Sequence, residues 1–343
     1  MHESGIDSID LVVVRVALEK FIAKEIPNSE WINFKTIQQA IDFCKENENS
    51  QTKSIAIFQS VLATRKREIN MPQMANSALS ENWLFKELGD IHWELLSQGL
   101  NTKSSNIRDE SGNRLYATFT RIQINSISLI ETKENDTLEF KAELKRFGHS
   151  TYISEIEIQN GEAKSKATLM TSFSTREAID NSKLFKSQPI STDNTVPEFS
   201  CAPEILNDYR LLRKGLLESY KLDGESFDLT TKSITEIKYS INPFYEINGV
   251  GLLYFASYPT ISDKCETDYF NSTTNEKWDN KFFTTDRDVF YFANCNADDS
   301  ILFRLNQFES LNNGRVKLFS SLYRKSDMTL MAHIFTMKQP QTK

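Results

Sequence analysis

Gly5-Ile6-Asp7-Ser8-Ile9-Asp10-Leu11 places a serine at the predicted start of a helix. A hydroxyl there is exposed, has no bulky neighbour in front of it, and can carry a phosphate ester near the positive end of the helix dipole. The same residues also describe an ordinary N-cap, where Asp and Ser are common. Far downstream, Asn248 with Gly249 and Gly251 reads as a glycine-rich turn into a helix, following Asn242-Pro243. Backbone N-H groups in such a turn approach a carbonyl oxygen closely and stabilise charge on it; the other reading is a helix start whose glycines only permit tight packing.

Glu81, Asp90 and His92 are polar residues on or beside one predicted helix. Asp90 and His92 are not a helical turn apart, so they point in different directions. His92, beside Trp93, reads first as a satisfied, partly buried histidine and second as a general base. Asp263 and Glu266 are spaced to share a helix face, which suits acid-base work or a solvated surface.

These residues need elements to position them. Apolar residues from Ser8 to about Phe21 and again from Thr36 to Cys44 fit two helices separated by Ile26-Pro27. The polar run from Glu46 to Ser54 has no core face and predicts a linker, with a boundary near residue 50. Ser80 predicts the cap of a helix carrying Leu84, Leu88, Ile91 and Leu95 on one stripe. Strand patterns follow at 114–124, 138–147, 152–158 and 167–173. After a bridging helix through Ile205, Tyr209, Leu212 and Leu216, the order recurs: a strand at 229–241, an apolar run at 249–258 leading to Asp263 and Glu266, and strands at 289–293, 301–305, 316–322 and 329–336. An internal duplication follows, giving two α+β units side by side, each an antiparallel sheet packed on a helix.

Composition narrows the function. The 343 residues are 39% hydrophobic, enough for more than one core. With 47 acidic against 40 basic residues the net charge is -7, which argues against nucleic acid as a partner. No stretch approaches a membrane span, and Met1-His2-Glu3 does not begin a signal peptide, so a cytoplasmic protein is expected. Cys44, Cys201, Cys265 and Cys295 lie far apart and read as reduced and mostly structural. His2, His92, His149 and His333 show no metal-ligand spacing.

The Ser8 motif, the helix after it and the segment from Phe34 to Cys44 resemble an acyl carrier protein. The resemblance implies 4'-phosphopantetheine on Ser8, installed by a phosphopantetheinyl transferase. A carrier has a long first helix before the motif, whereas seven residues precede Ser8 here, so residues 1–50 are expected to be a partial carrier, a mis-assigned start or a segment completed by another chain. Residues 51–59 are the linker.

Residues 69–74, 79–84, 87–93 and 109–112 (Ile-Asn-Met-Pro-Gln-Met, Leu-Ser-Glu-Asn-Trp-Leu, Glu-Leu-Gly-Asp-Ile-His-Trp, Asp-Glu-Ser-Gly) resemble the double hot-dog acyltransferase/decarboxylases typified by the leinamycin pathway. A second match runs from Ile241-Asn242-Pro243 through 248–256 to Asp263 and Glu266. The resemblance implies a double hot-dog with units at 60–200 and 201–343, each a long helix wrapped by an antiparallel sheet. It implies an enzyme of polyketide or other natural-product biosynthesis that takes a malonyl-type group from acyl-CoA, decarboxylates it and passes it to a carrier protein, its own N-terminal segment or a separate one. Asn248, Gly249, Gly251 and Asn242 would then hold the thioester oxygen. The family's acyl-bearing tyrosine follows an Asp-x-Ser-Gly turn; Tyr116 is near that place, while Thr120 and Arg121 stand at the aligned positions. Arg121 would bind a carboxylate or the coenzyme A phosphates, or be an exposed strand arginine. A hot-dog thioesterase or dehydratase, using Asp90, His92, Asp263 or Glu266, and a non-catalytic carrier-binding module are the alternatives.

Overall fold

The computed structural model of the chain describes residues 8–22, 24–47, 60–176, 180–190, 195–274, 278 and 282–341. Helices α1 (Ser8–Ile22), α2 (Asn28–Trp31) and α3 (Ile37–Glu46) come first. Then follow β1 (Val61–Glu68), a small hairpin of β2 (Met74–Ala75) and β3 (Ala78–Leu79), helix α4 (Glu81–Gly99), and β4 (Tyr116–Asn125), β5 (Thr137–Phe147), β6 (Thr151–Asn160), β7 (Ala163–Arg176) and β8 (Leu184–Lys186). Helix α5 (Glu204–Arg213) and a hairpin of β9 (Ser219–Leu222) and β10 (Glu225–Asp228) lead to the last part. That part holds β11 (Thr235–Ser240), the single turn α6 (Pro243–Glu246), helix α7 (Ser257–Thr273), and β12 (Phe282–Tyr291), β13 (Ser300–Ser310), β14 (Val316–Arg324) and β15 (Thr329–Pro340).

One antiparallel sheet runs in the order β1-β5-β6-β7-β4-β12-β15-β14-β13-β11, with β8 beside β7. Read inward from its two edges, this order is the same arrangement twice, so the halves are related by a pseudo-twofold at the β4–β12 junction, where Gln123 lies opposite Asp288. A bulge recurs in the same place: β4 is irregular between Phe119 and Arg121, and β12 between Thr284 and Asp286. The two units expected side by side therefore share a single sheet.

The apolar stripe of α4 is buried as its spacing predicts, with Leu84, Leu88, Ile91 and Leu95 all in the core, and the Ser80 hydroxyl accepts the Trp83 N–H at 3.3 Å. Gly89 interrupts this helix, a choice that costs about 1 kcal/mol against alanine in helix propensity. A Cβ there would sit 2.3 Å from the Phe255 ring, so the glycine lets that ring lie directly on the helix.

One strand was not expected, and two sequence expectations shift. Strand β1, whose Arg65, Lys66, Arg67 and Glu68 masked it, forms one sheet edge against β5. The strand expected at 229–241 is confined to Thr235–Ser240. The apolar run at 249–258 is mostly not helical: α7 begins at Ser257, because Ile247 and Leu253 bridge first and Gly251 takes φ +86°.

The sheet face away from α4 and α7 carries a second core, with Phe147, Ile153, Met170, Phe290, Phe319 and Phe335 covered by α1, α5 and the β9–β10 hairpin. Helix α1 sets Val12, Val13 and Val16 on this surface, and Gly148 leaves room for Val12 and Val16, whose methyls would lie 3.0 Å from any Cβ there. Asp10 pairs with both Arg210 and Lys214 of α5. The segment thought to lack a partner helix is thus packed on the body of the protein. Residues 5–7, the side chain of Ser8 and the expected linker at 51–59 lie outside the described residues. No helix among the described residues is long and apolar enough to cross a membrane.

Candidate functional site

A cavity of about 450 Å³ opens where the two halves meet, within the size range of small-molecule sites. Its walls come from the middle of α4 (Gly89, Asp90, Trp93), the start of β4 (Tyr116 to Thr120), the end of β7 (Ser172, Ser174), α5 (Tyr209, Arg213), the loop before α7 (Asn248 and Val250 to Phe255) and the end of β12 (Tyr291 onward). Phe119 and Phe255 pack with ring centroids 4.2 Å apart in the interior.

The polar lining is mostly neutral. Tyr258, Tyr291 and Tyr209 donate their hydroxyls to the carbonyls of Ala293 (2.9 Å), Phe255 (3.1 Å) and Tyr291 (2.9 Å), so these three act as struts. Burial pushes the Tyr258 and Tyr291 hydroxyls well above the usual phenol value. Ser172 differs: its hydroxyl is buried and has no hydrogen-bond partner among the described residues. A buried orphan hydroxyl on a cavity wall is a group waiting for a ligand or water.

Asn248 lines the cavity as expected, but its turn is built differently. The side-chain oxygen accepts the N–H groups of Val250 and Leu252, both at 3.0 Å, and the Asn248 carbonyl accepts the Gly251 N–H at 2.9 Å. The Gly251 amide is therefore spent within the turn, and neither Gly249 nor Gly251 lines the cavity. The Asn248 side-chain NH2, which has no partner among the described residues, is the donor left for a substrate oxygen. Asn242 lies away from the cavity and caps α6, accepting the Phe244 N–H at 3.2 Å. Tyr116 lines the cavity, and the guanidinium groups of Arg114 and Arg176 lie 5.3 and 5.4 Å from its ring centroid. Asp90 stands at the mouth, exposed and paired with Arg65 at 2.7 Å.

The other expected residues are elsewhere. His92 is fully buried, with its ring nitrogens 2.7 Å from the Ser154 hydroxyl and 2.9 Å from that of Thr171. Burial lowers its pKa to about 3, which makes the imidazole a weak base, and the ring lies outside the cavity wall. Its folded-state value lies below the ordinary value near 6.5, so the unfolded chain binds the extra proton between these two values and stability falls as pH drops through that window. His333, lowered to about 4 by burial, acts in the same sense. His92→Gln is expected to flatten the loss of stability between about pH 6.5 and 3. Urea midpoints across that range check this, and an unchanged slope would show that His92 carries no part of it.

Arg121 does not face a substrate. It is buried on the opposite sheet face, grips Asp288 through two bonds of 3.1 and 2.8 Å, and donates to Tyr220 at 2.6 Å and to the Ile205 carbonyl at 2.8 Å. The bulge at Thr120 turns the strand so that Tyr116 to Thr120 meet the cavity and Arg121 anchors α5 instead.

Glu81, Asp263 and Glu266 form a separate cluster. Arg287, with no exposure, binds Glu81 at 2.7 Å and Asp263 at 2.8 Å; Lys338 binds Asp263 at 2.8 Å and Glu266 at 2.7 Å. Burial would raise the Asp263 pKa, but Arg287 and Lys338 outweigh it and hold the carboxyl below its usual value. Under the pseudo-twofold this cluster, between α7, the start of β12 and the end of β15, occupies the counterpart of the cavity. One of two related clefts is open and the other is filled with paired charge.

Sequence reasoning missed Ser172, Phe119, Phe255 and Arg213. Ser172 sits in an ordinary alternating strand, and only its missing partner distinguishes it. Gly89 was the one available signal for Phe255, since a glycine inside a strong helix implies a close neighbour.

No protein-family model matches the chain, and no curated protein matches it in sequence. Solved structures do. A 12:0-ACP thioesterase from Umbellularia californica matches at TM-score 0.55 and 10% identity over 84% of this chain and 100% of that one. An acyl-ACP thioesterase from Bacteroides thetaiotaomicron matches at TM-score 0.51 and 8% identity over 81% and 98%. The chain has the hot-dog fold of these thioesterases.

Proposed function

We propose that this chain is an enzyme of double hot-dog architecture that binds acyl-pantetheine thioesters in the cavity between its halves. It moves a short malonyl-type group from coenzyme A to a carrier and decarboxylates it on the way. The observation that carries this reading is a pair of neutral donors on the cavity wall: the orphan Ser172 hydroxyl and the Asn248 NH2 can hold a thioester or enolate oxygen, and no histidine among the described residues lines the cavity. Loss of carbon dioxide needs a stabilised enolate and little water, and no general base. Tyr116 is the hydroxyl proposed to accept an acyl group, and Ser8 is the proposed site of 4'-phosphopantetheine on a partial carrier at residues 1–50, with hot-dog units at 60–200 and 201–343.

Hydrolysis is the second reading. It is favoured by the thioesterases of the same fold and by Asp90, the one carboxylate among the described residues lining the cavity, which would have to activate water despite its pairing with Arg65. Malonyl-CoA labelled at its free carboxyl separates the two. The proposed enzyme releases labelled carbon dioxide and gives an acetyl-carrier adduct, seen as an added mass after a phosphopantetheinyl transferase has loaded Ser8. Labelled free malonate with no carbon dioxide would establish hydrolysis instead.

A further inference from the structure

We propose that Arg213 is the residue that recognises the phosphate of the pantetheine arm at the cavity mouth; this rests on the acyl-pantetheine reading above. Three basic residues crowd the C-terminal end of α5: Arg210, Arg213 and Lys214. Asp10 of α1 takes Arg210 and Lys214. Arg213 makes no hydrogen bond or ion pair among the described residues, is exposed, and lines the cavity. Helix α5 is a firm support for it. Leu206, Tyr209 and Leu212 are buried, and Arg121 holds the Ile205 carbonyl and the Asp208 carboxylate from below.

Charge at the opening favours an anion. Among the described residues, Lys186 and Arg213 are the cations on the cavity wall, and Asp90, the carboxylate there, is paired with Arg65, which also binds Glu87 and Glu94. A guanidinium suits a phosphate because its planar N–H groups match two phosphate oxygens. An acyl-pantetheine would then lie with its thioester against Ser172 and Asn248 and its phosphate at Arg213. The same α5 turn that takes Asp10 of α1 would receive a phosphate from coenzyme A or from a carrier.

Calorimetry with coenzyme A, 4'-phosphopantetheine and unphosphorylated pantetheine tests this without requiring turnover. Arg213→Gln is expected to weaken coenzyme A and phosphopantetheine by about tenfold or more while leaving pantetheine within about twofold, and Arg213→Lys is expected to recover part of the loss. Equal losses for both phosphorylated ligands assign Arg213 to the phosphate they share; a loss with coenzyme A alone assigns it to the nucleotide phosphates. Unchanged affinity for both, or an equal loss for all three ligands, overturns the proposal and leaves the cavity reading standing. If the unaltered protein binds none of the three, the cavity reading fails as well.

Discussion

Arg287→Ala is expected to destabilise the protein by about 3–5 kcal/mol, the cost of removing one partner from a buried ion pair. Arg287 is the hub between Glu81 at the start of α4 and Asp263 on α7, and its Nη1 also donates to the Thr336 hydroxyl at 3.0 Å. Without it Lys338 remains as the only cation among the described residues to pair with Asp263 and the fully buried Glu266. The Thr284 hydroxyl, which donates to Glu81 at 2.8 Å, would lose the ordered carboxylate it depends on. Denaturant midpoints for the alanine variant measure the effect. A loss below about 1 kcal/mol, typical of exposed pairs, would mean that this cleft is hydrated and open, against its description as the filled counterpart of the cavity.

The second large effect is on chemistry. Asn248→Asp keeps an oxygen to accept the Val250 and Leu252 N–H groups but replaces the NH2 donor with a second acceptor. If that donor holds the thioester or enolate oxygen, carbon dioxide release is expected to fall by about 10²–10³-fold, as when one oxyanion donor is removed elsewhere. Stability should change little. Asn248→Ala loses the turn bonds too, so it is expected to lower both activity and the denaturation midpoint. Initial rates with both variants, together with their midpoints, separate the roles; an aspartate variant of unaltered rate would remove Asn248 from the chemistry.

The sequence made the helices more legible than the charges. Helix α4 was readable because its cap, its stripe and its length agree, and the duplication was readable as a repeated order of elements. Strand β1 was not, since an edge strand tolerates the charges that disguise it. The glycines at 249 and 251 suggested a helix entrance, yet Gly251, whose positive φ serves a turn, lies six residues before the start of α7. Ionic partners were the least accessible. Arg121 meets Asp288 and Glu81 meets Arg287 across 167 and 206 residues, so nothing local distinguishes a buried clamp from a ligand-binding arginine or a catalytic carboxylate. The cavity residues Asn248, Tyr116 and Asp90 were found because motif and wall coincide. Ser172 and Arg213 were not, because their significance lies in having no partner among the described residues.

Photolabelling decides where a thioester sits. A coenzyme A thioether bearing a small diazirine in place of the acyl group, irradiated on the full chain and mapped by peptide mass spectrometry, is expected to label residues 116–120, 172–174 or 248–255, the walls of the cavity. Protection by excess coenzyme A should accompany it. Protected label confined to the outer face of the sheet, or to the peptides carrying Asp263 and Lys338, would contradict the placement of the site between the two halves.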